Sequence, residues 1–320
     1  MKFHIMSAEA GNQINGSVGR DIIMRLPKAS MVDCDVVLVP ISYFPDFKFN
    51  RNLLGVSKPW VMMDFLEYFN HHEDAGKTNL IGRDITATYN STEWDLLHAW
   101  VKENPPCMYF KRELFDDDIP NVEPIEWPCY VDIPPTQTKD QFYARPFEVF
   151  NCWGYSHNDR KRLHGDIFSK SCDHHIHVAS SFNHMDYLFA HREEMANSRP
   201  WATIFTPHFE RIHITELLER QQMARVSVSM PGAGVKCFRS TEAPVGCVPA
   251  IRDDGAIWSI PWNYDNSIYL PIGDEFRYLE SSLNPEALYN RYVNAQETIR
   301  QYQPEPYIKN QIIAKIEAVL

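Results

Sequence analysis

The run Arg225–Ile251, RVSVSMPGAGVKCFRSTEAPVGCVPAI, gathers residue types that together can hold an anion. It reads as strand, glycine loop, helix, glycine turn and strand. Gly232 and Gly234, just past Pro231, permit a tight turn and close approach of a ligand to the backbone. A helix starting behind such a loop offers unpaired N–H groups and the positive end of its dipole. Lys236 and Arg239 fall in its first turns, where they can add charge-assisted hydrogen bonds to a diphosphate. Glu242 follows Arg239 by three residues and emerges on the same helix face. A carboxylate there can accept two hydroxyl hydrogen bonds from a ribose. Gly246 ends the helix and Val248–Ile251 returns to the sheet. An ordinary strand–helix–strand crossover that uses its glycines for packing would show part of the same pattern.

A second basic glycine segment lies upstream. Arg145–Arg162 reads RPFEVFNCWGYSHNDRKR, a strand followed by Gly154 and a basic helix start that carries Arg160 and Arg162. In the first half of the chain, the loop Glu9–Gly19 follows the opening strand, with Gly16 and Ser17 as its contact points for an acceptor or a phosphate. Ser17 would equally serve as a helix N-cap. Asp64 ends a strand and Glu67 follows it; Asp64 or Glu9 is the candidate for deprotonating a hydroxyl. A buried strand-end Asp can also simply cap a helix. His208 follows a short strand, at the strand end where ligands of such sheets lie.

No metal centre is expected. Asp116–Asp118 reads as a solvated acidic turn, and His174, His175 and His177 have no partner at metal-ligand spacing.

These groups need a scaffold, and the chain alternates short apolar runs with amphipathic stretches, as βαβ units do. Strands are expected at Lys2–Met6, Asp35–Ile41, Trp60–Asp64, Cys107–Phe110 and Ile125–Val131. The Pro-rich stretch 132–146 shows neither periodicity and reads as a linker. Alternation then restarts, with strands at Phe147–Cys152, His175–Ala179, Ala202–Thr206, Arg225–Met230, Val248–Ile251 and Ser267–Ile272. Helices are expected over Thr92–Lys102, Asn158–Lys170, Thr215–Met223, Cys237–Val245, Pro285–Tyr302 and Tyr307–Leu320.

Composition narrows the class. At 320 residues, 44% hydrophobic and 23% charged, the chain is an ordinary globular one of about two domains. A net charge of −11 argues against wrapping on duplex nucleic acid, yet leaves room for a small basic pocket. Seven cysteines without a CxxC pair read as reduced thiols. The first residues hold no apolar run of signal-peptide length, and no stretch approaches 18 apolar residues. The expected setting is cytoplasmic, bacterial or viral, with no membrane span.

Residues 145–275 resemble the donor half of GT-B glycosyltransferases, the exostosin-like ones in particular. The matching residues are Pro231, Gly232, Arg239, Glu242, Ala243, Gly246, Cys247 and Pro249. Arg145, Glu148, Val149, Phe150, Gly154, Arg160 and Arg162 match the opening of the same half, with Glu148 where the family usually has Asp. The first half matches only in outline. The resemblance implies an α/β chain of two Rossmann-like domains with a cleft between them. Domain one would span 1–140 and bind the acceptor; domain two, 141–304, would bind a nucleotide-diphosphate sugar; 305–320 would be a helix packed back on the first.

The implied donor-side set is Gly154, Arg160, His208, Pro231, Gly232, Gly234, Lys236, Phe238, Arg239 and Glu242. Within it, Arg239 would lie near the diphosphate and Glu242 on the ribose. The implied activity is transfer of a sugar to an acceptor hydroxyl, on a glycan or another molecule, with no cofactor. Retaining members carry two glutamates eight residues apart, and Gly234 stands eight before Glu242, which favours inversion. Two other readings stay open: an epimerase of this fold acting on the sugar nucleotide, and a non-catalytic nucleotide- or glycan-binding protein.

Overall fold

The computed structural model describes residues 1–6, 22–41, 57–64, 99–112, 114, 120–153, 174–179, 207–208, 214–230, 239–253 and 257–320. They form two separate parallel sheets.

The first sheet has β1 (Phe3–Ile5), β2 (Val36–Ile41), β3 (Trp60–Asp64), β4 (Met108–Lys111) and β5 (Val122–Pro124) side by side in chain order. The continuous apolar runs in β2 and β3 are explained by burial on both faces. Val36, Leu38, Val61, Met63, Met108 and Phe110 join one core. Val37 and Val39 join another, with Trp60 and Trp100 packed against it. On the far side of β1, Lys28 forms a parallel bridge to Phe3, with Phe3 N–H donating to Pro27 O at 2.7 Å. The chain therefore visits one side of β1 before crossing to β2 on the other, which creates a switch point at the carboxyl end of β1.

The second sheet has β6 (Phe147–Trp153), β7 (His174–Ala179), β8 (Pro207–His208), β9 (Ala224–Ser229), β10 (Val248–Asp253) and β11 (Ile268–Pro271). Their spatial order is β8-β7-β6-β9-β10-β11. Counted within this half, that is the 3-2-1-4-5-6 order of dinucleotide-binding sheets, whose order reverses between the first and fourth strands. Here that point lies between β6 and β9, which pair through Phe147–Ala224, Val149–Val226 and Phe150–Ser227.

The stretch between the sheets differs from the sequence expectation twice. Ile125–Val131 forms no strand. Pro124 and Pro128 lack the N–H groups a ladder needs. Ile125 N–H still reaches Lys111 O at 3.0 Å, but two amides beyond it pair with the C-terminal region instead: Glu126 N–H donates to the Tyr307 hydroxyl at 2.8 Å and Cys129 N–H to Tyr302 O at 2.8 Å. The Pro-rich stretch, expected to lack regular structure, contains helix α1 (Lys139–Tyr143). Thr138 caps it reciprocally: its hydroxyl accepts from Gln141 N–H, and the Gln141 side chain accepts from Thr138 N–H.

Helix α2 (Ile214–Gln222) precedes β9, α3 (Arg239–Gly246) joins β9 to β10, and α4 (Glu275–Ser281) follows β11. The sequence reading placed no helix at α4. It follows a turn in which Gly273 takes φ 91°, a conformation that favours glycine.

Helix α5 (Pro285–Arg300) starts at Asn284, whose side chain accepts from Glu286 and Ala287 N–H. Phe142 of α1 stacks on Tyr292 of α5 at 5.0 Å, and Thr136 and Gln137 bond to Gln296 and Tyr292. The inter-sheet stretch is thus docked along α5.

The chain ends in Pro304–Tyr307, a π-helical turn Ile308–Ile313 and Ala314–Glu317. Tyr307, Ile308, Ile312 and Ile316 are buried in the first sheet's core, and Lys315 reaches Glu123 of β5 at 2.6 Å. Apolar residues every fourth position drift around an ordinary α-helix, and the wider π turn brings them back to one face.

Candidate functional site

Two strand ends stand side by side at the switch point of the second sheet. The chain leaves β6 at Trp153 and β9 at Ser229, neighbouring carboxyl ends of paired strands. The first continues into Gly154 and Arg160, the second into Pro231, Gly232, Gly234, Lys236 and Phe238; these residues lie outside the described ones. In parallel α/β sheets, ligands lie outside the carboxyl ends of strands at such a point.

Helix α3 begins directly behind the second segment. Because β9 and β10 are parallel neighbours, α3 must run back along them, so its N-terminus stands at the carboxyl edge of the sheet. Arg239 is its first residue, and Glu242 lies in its first turn. Ser240, Thr241 and Ala243 are buried, whereas Glu242 is half-buried. Burial is the main reason the Cys129 thiol is pushed up to about 11; the nearby Glu242 and Asp132 carboxylates add to the rise. Glu242 therefore lies on the side of α3 nearer Cys129, in the stretch that follows β5. Val245, three residues on, joins the same core as the first-sheet strands. The acid stands where the two sheets meet.

Other matched residues turn out to support the sheet. Arg145 sits at the amino end of β9, the other end of that strand from Ser229. Its Nη1 donates to Ala224 O at 2.5 Å and Gly246 O at 2.6 Å, and Nε and Nη2 donate to Gln137 Oε1 at 3.0 and 2.8 Å. Its guanidinium lies beside the stacked pair of rings, 4.5 Å from the centre of Phe142 and 4.8 Å from that of Tyr292. Cys247 is fully buried and donates its thiol to Gln221 O at 2.8 Å; burial pushes it up to about 12. Gly246 lets the helix end close to α2, since a Cβ there would stand 3.3 Å from Gln222 Cγ.

His208 ends β8, the outer strand of the sheet, two strands away from β6. At the usual strand spacing that is roughly 10 Å from β6. His174, His175 and His177 fall in β7, opposite Val149, Phe150 and Cys152. Among the described residues, no three His, Cys, Asp or Glu are grouped to hold a metal ion.

At the first sheet, Asp64 is the last residue of β3 and is 3% exposed. Its Oδ2 accepts from the Tyr109 hydroxyl at 3.0 Å, and its backbone carbonyl accepts from Arg112 N–H at 2.9 Å. Lys111, also buried, ends β4 directly opposite Asp64. Sequence reasoning passed over Tyr109 and Lys111. The signal was there: WVMMD and MYFK are neighbouring apolar strands that end on opposite charges. Glu9, Gly16 and Ser17 follow the end of β1 and lie outside the described residues, as do Glu67 and Asp116–Asp118.

No protein-family model matches the sequence. No curated protein matches it either. Solved structures do match in fold. HepE from Anabaena, crystallised with UDP and glucose, superposes with a TM-score of 0.60 at 10% identity over 100% of this chain and 99% of its own. A glycosyltransferase from Rickettsia africae gives 0.58 at 10% identity over 99% and 97%. Sucrose-phosphate synthase from Thermosynechococcus elongatus gives 0.57 at 11% identity over 90% and 75%. These likenesses carry the GT-B fold and not the narrower exostosin-like resemblance. No helix among the described residues is long and apolar enough to cross a membrane. Two parallel α/β sheets, the second in dinucleotide-binding order, and neighbours of this kind give the chain the fold of the GT-B glycosyltransferases.

Proposed function

We propose that the protein is a glycosyltransferase that takes a sugar from a nucleotide-diphosphate sugar and passes it to an acceptor hydroxyl. The observation that carries this is the adjacency of the carboxyl ends of β6 and β9, each followed in the sequence by a basic, glycine-bearing segment, with the N-terminus of α3 after the second. Arg239, Lys236 and Arg160, with the helix dipole, would neutralise the diphosphate as its charge grows in the transition state. Gly154, Pro231, Gly232 and Gly234 would let backbone approach the phosphates. Glu242, half-buried on the side of α3 nearer Cys129, would accept the ribose hydroxyls. The HepE complex with UDP and glucose makes a uridine nucleotide the first donor to test.

The acceptor would enter from the first sheet into the cleft between the domains. A carboxylate there, Asp64 or Glu9, would take the hydroxyl proton. The freed oxygen would attack the anomeric carbon as the bond to the diphosphate breaks, with inversion. Cations and helix N–H groups supply the positive charge that a divalent ion supplies in metal-dependent transferases, so no metal is needed.

The test is release of nucleoside diphosphate from a panel of UDP-, GDP- and ADP-sugars by the purified protein, with water taking the sugar in place of the acceptor hydroxyl and Arg239→Ala alongside. Losing a charge-assisted contact of about 1.5–3 kcal/mol should slow turnover roughly ten- to 150-fold. Binding of a nucleotide sugar without release would point to a non-catalytic binding protein. Conversion of the sugar without release would point to an epimerase.

A further inference from the structure

Three polar side chains outside the donor region are brought together at the carboxyl edge of the first sheet. Asp64 and Lys111 are register partners at the ends of β3 and β4, so their side chains leave the same face. Tyr109, two residues before Lys111, leaves that face as well. Its hydroxyl donates to Asp64 Oδ2 at 3.0 Å, and Lys111 Nζ stands 5.6 Å from the centre of its ring. Asp64, Tyr109 and Lys111 are only 3%, 3% and 5% exposed. In so dry a place a hydrogen bond to a carboxylate is strong and its direction is kept. The other face of the same strands carries the apolar Val61, Met63, Met108 and Phe110, so the sheet's packing does not itself require a Tyr–Asp bond.

We propose that Tyr109 is the positioning residue of Asp64, and that Asp64 is the base of sugar transfer. The phenol hydroxyl holds the carboxylate in one rotamer, and the Lys111 ammonium over the ring holds the phenol. In the step this serves, the acceptor hydroxyl gives its proton to the Asp64 carboxylate. Its oxygen bonds to the anomeric carbon, and the electron pair of the broken bond leaves on the diphosphate. The inference rests on the proposed function and selects Asp64 over Glu9 within it.

The experiment follows nucleoside diphosphate release from the same sugar-nucleotide panel by wild type, Asp64→Asn, Tyr109→Phe and Lys111→Met, with thermal unfolding of each. Tyr109→Phe keeps the ring and removes only the hydroxyl. Its kcat should fall about ten- to a hundredfold, the loss of one hydrogen bond to a charged group, while the donor KM stays within about twofold. Asp64→Asn should abolish release. If Asp64→Asn is inactive but Tyr109→Phe keeps a wild-type kcat, the positioning role is overturned and the base survives. Where Asp64→Asn turns over normally, the choice of base falls and with it this inference. A wild type that releases nothing from any donor overturns the parent reading. Should Tyr109→Phe fail to fold, Lys111→Met carries the test: a kcat loss of about two- to tenfold at unchanged KM is expected, and a wild-type kcat refutes it.

Discussion

Replacing Arg145 should cost the fold far more than its place on the chain suggests. The guanidinium makes four hydrogen bonds to three acceptors: the Ala224 and Gly246 carbonyls and the Gln137 side-chain oxygen. Ala224 and Gly246 are buried, so truncation takes a strong donor from two carbonyls away from water and leaves Ala224 O only the Cys247 thiol, at about 1–3 kcal/mol each. Loss of the cation beside Phe142 and Tyr292 adds about 1–2 kcal/mol, and the cavity adds more. Arg145→Ala should therefore cost about 4–6 kcal/mol, a large part of the roughly 5–15 kcal/mol that holds a domain together.

Arg145→Lys tests the geometry rather than the charge. An ammonium cannot bridge two carbonyls and an amide while lying against two rings, so about 2 kcal/mol should be lost. Arg145→Met, which keeps the volume, should lose about 3 kcal/mol by the same carbonyl count. The assay is urea unfolding with slope and midpoint both fitted, together with nucleotide affinity of the lysine variant. Because Arg145 stands at the amino end of β9, that affinity should not change. Lysine and methionine variants both within about 1 kcal/mol of wild type, at an unchanged slope, would refute the reasoning.

Three further outcomes are expected. Sugar transfer should survive excess EDTA, with at most modest stimulation by Mg²⁺; loss on chelation that Mn²⁺ or Mg²⁺ restores would return attention to Asp116–Asp118 or the histidines of β7. Stability should fall in alkali: the Cys129 and Cys247 thiols sit at about 11 and 12 in the folded chain against 9.0 otherwise, so unfolding releases protons above pH 9. Their contribution is whole below pH 9 and is lost as pH rises toward 11–12, at up to about 1.4 kcal/mol per unit for each thiol, read from urea midpoints between pH 8 and 11. Iodoacetamide should accordingly spare both thiols in the native protein, and mass spectrometry showing either one modified as fast as in urea would contradict their burial.

The sequence carried the buried strands because parallel strands covered on both faces must be apolar throughout. DVVLVPI and WVMMD admitted few other readings. The strand, helix and strand of β9, α3 and β10 were legible for a related reason: apolar runs separated by glycine turns mark a βαβ unit. Ile125–Val131 misled because burial alone resembles a strand, while two of its amides pair with Tyr302 and Tyr307, about 175 residues later in the chain. The helix at Lys139–Tyr143 was hidden among prolines, although Thr138 and Gln141 spell a capping box. Arg145 was readable as a motif residue but not as a staple, since its partners Gln137, Ala224 and Gly246 meet only in the fold. Tyr109 and Lys111 were missed because an aromatic and a cation in a short apolar strand look like packing until the neighbouring strand brings Asp64 alongside.

A nucleoside diphosphate should bind at the carboxyl ends of β6 and β9. The most direct test is calorimetric titration of UDP, GDP and ADP into wild type, Arg239→Ala and Glu242→Ala. One diphosphate should bind wild type, lose about ten- to 150-fold in affinity with Arg239→Ala, and weaken with Glu242→Ala while the variants unfold at the wild-type midpoint. If no diphosphate binds, or if one binds all three proteins equally well, the site is elsewhere and the account is wrong.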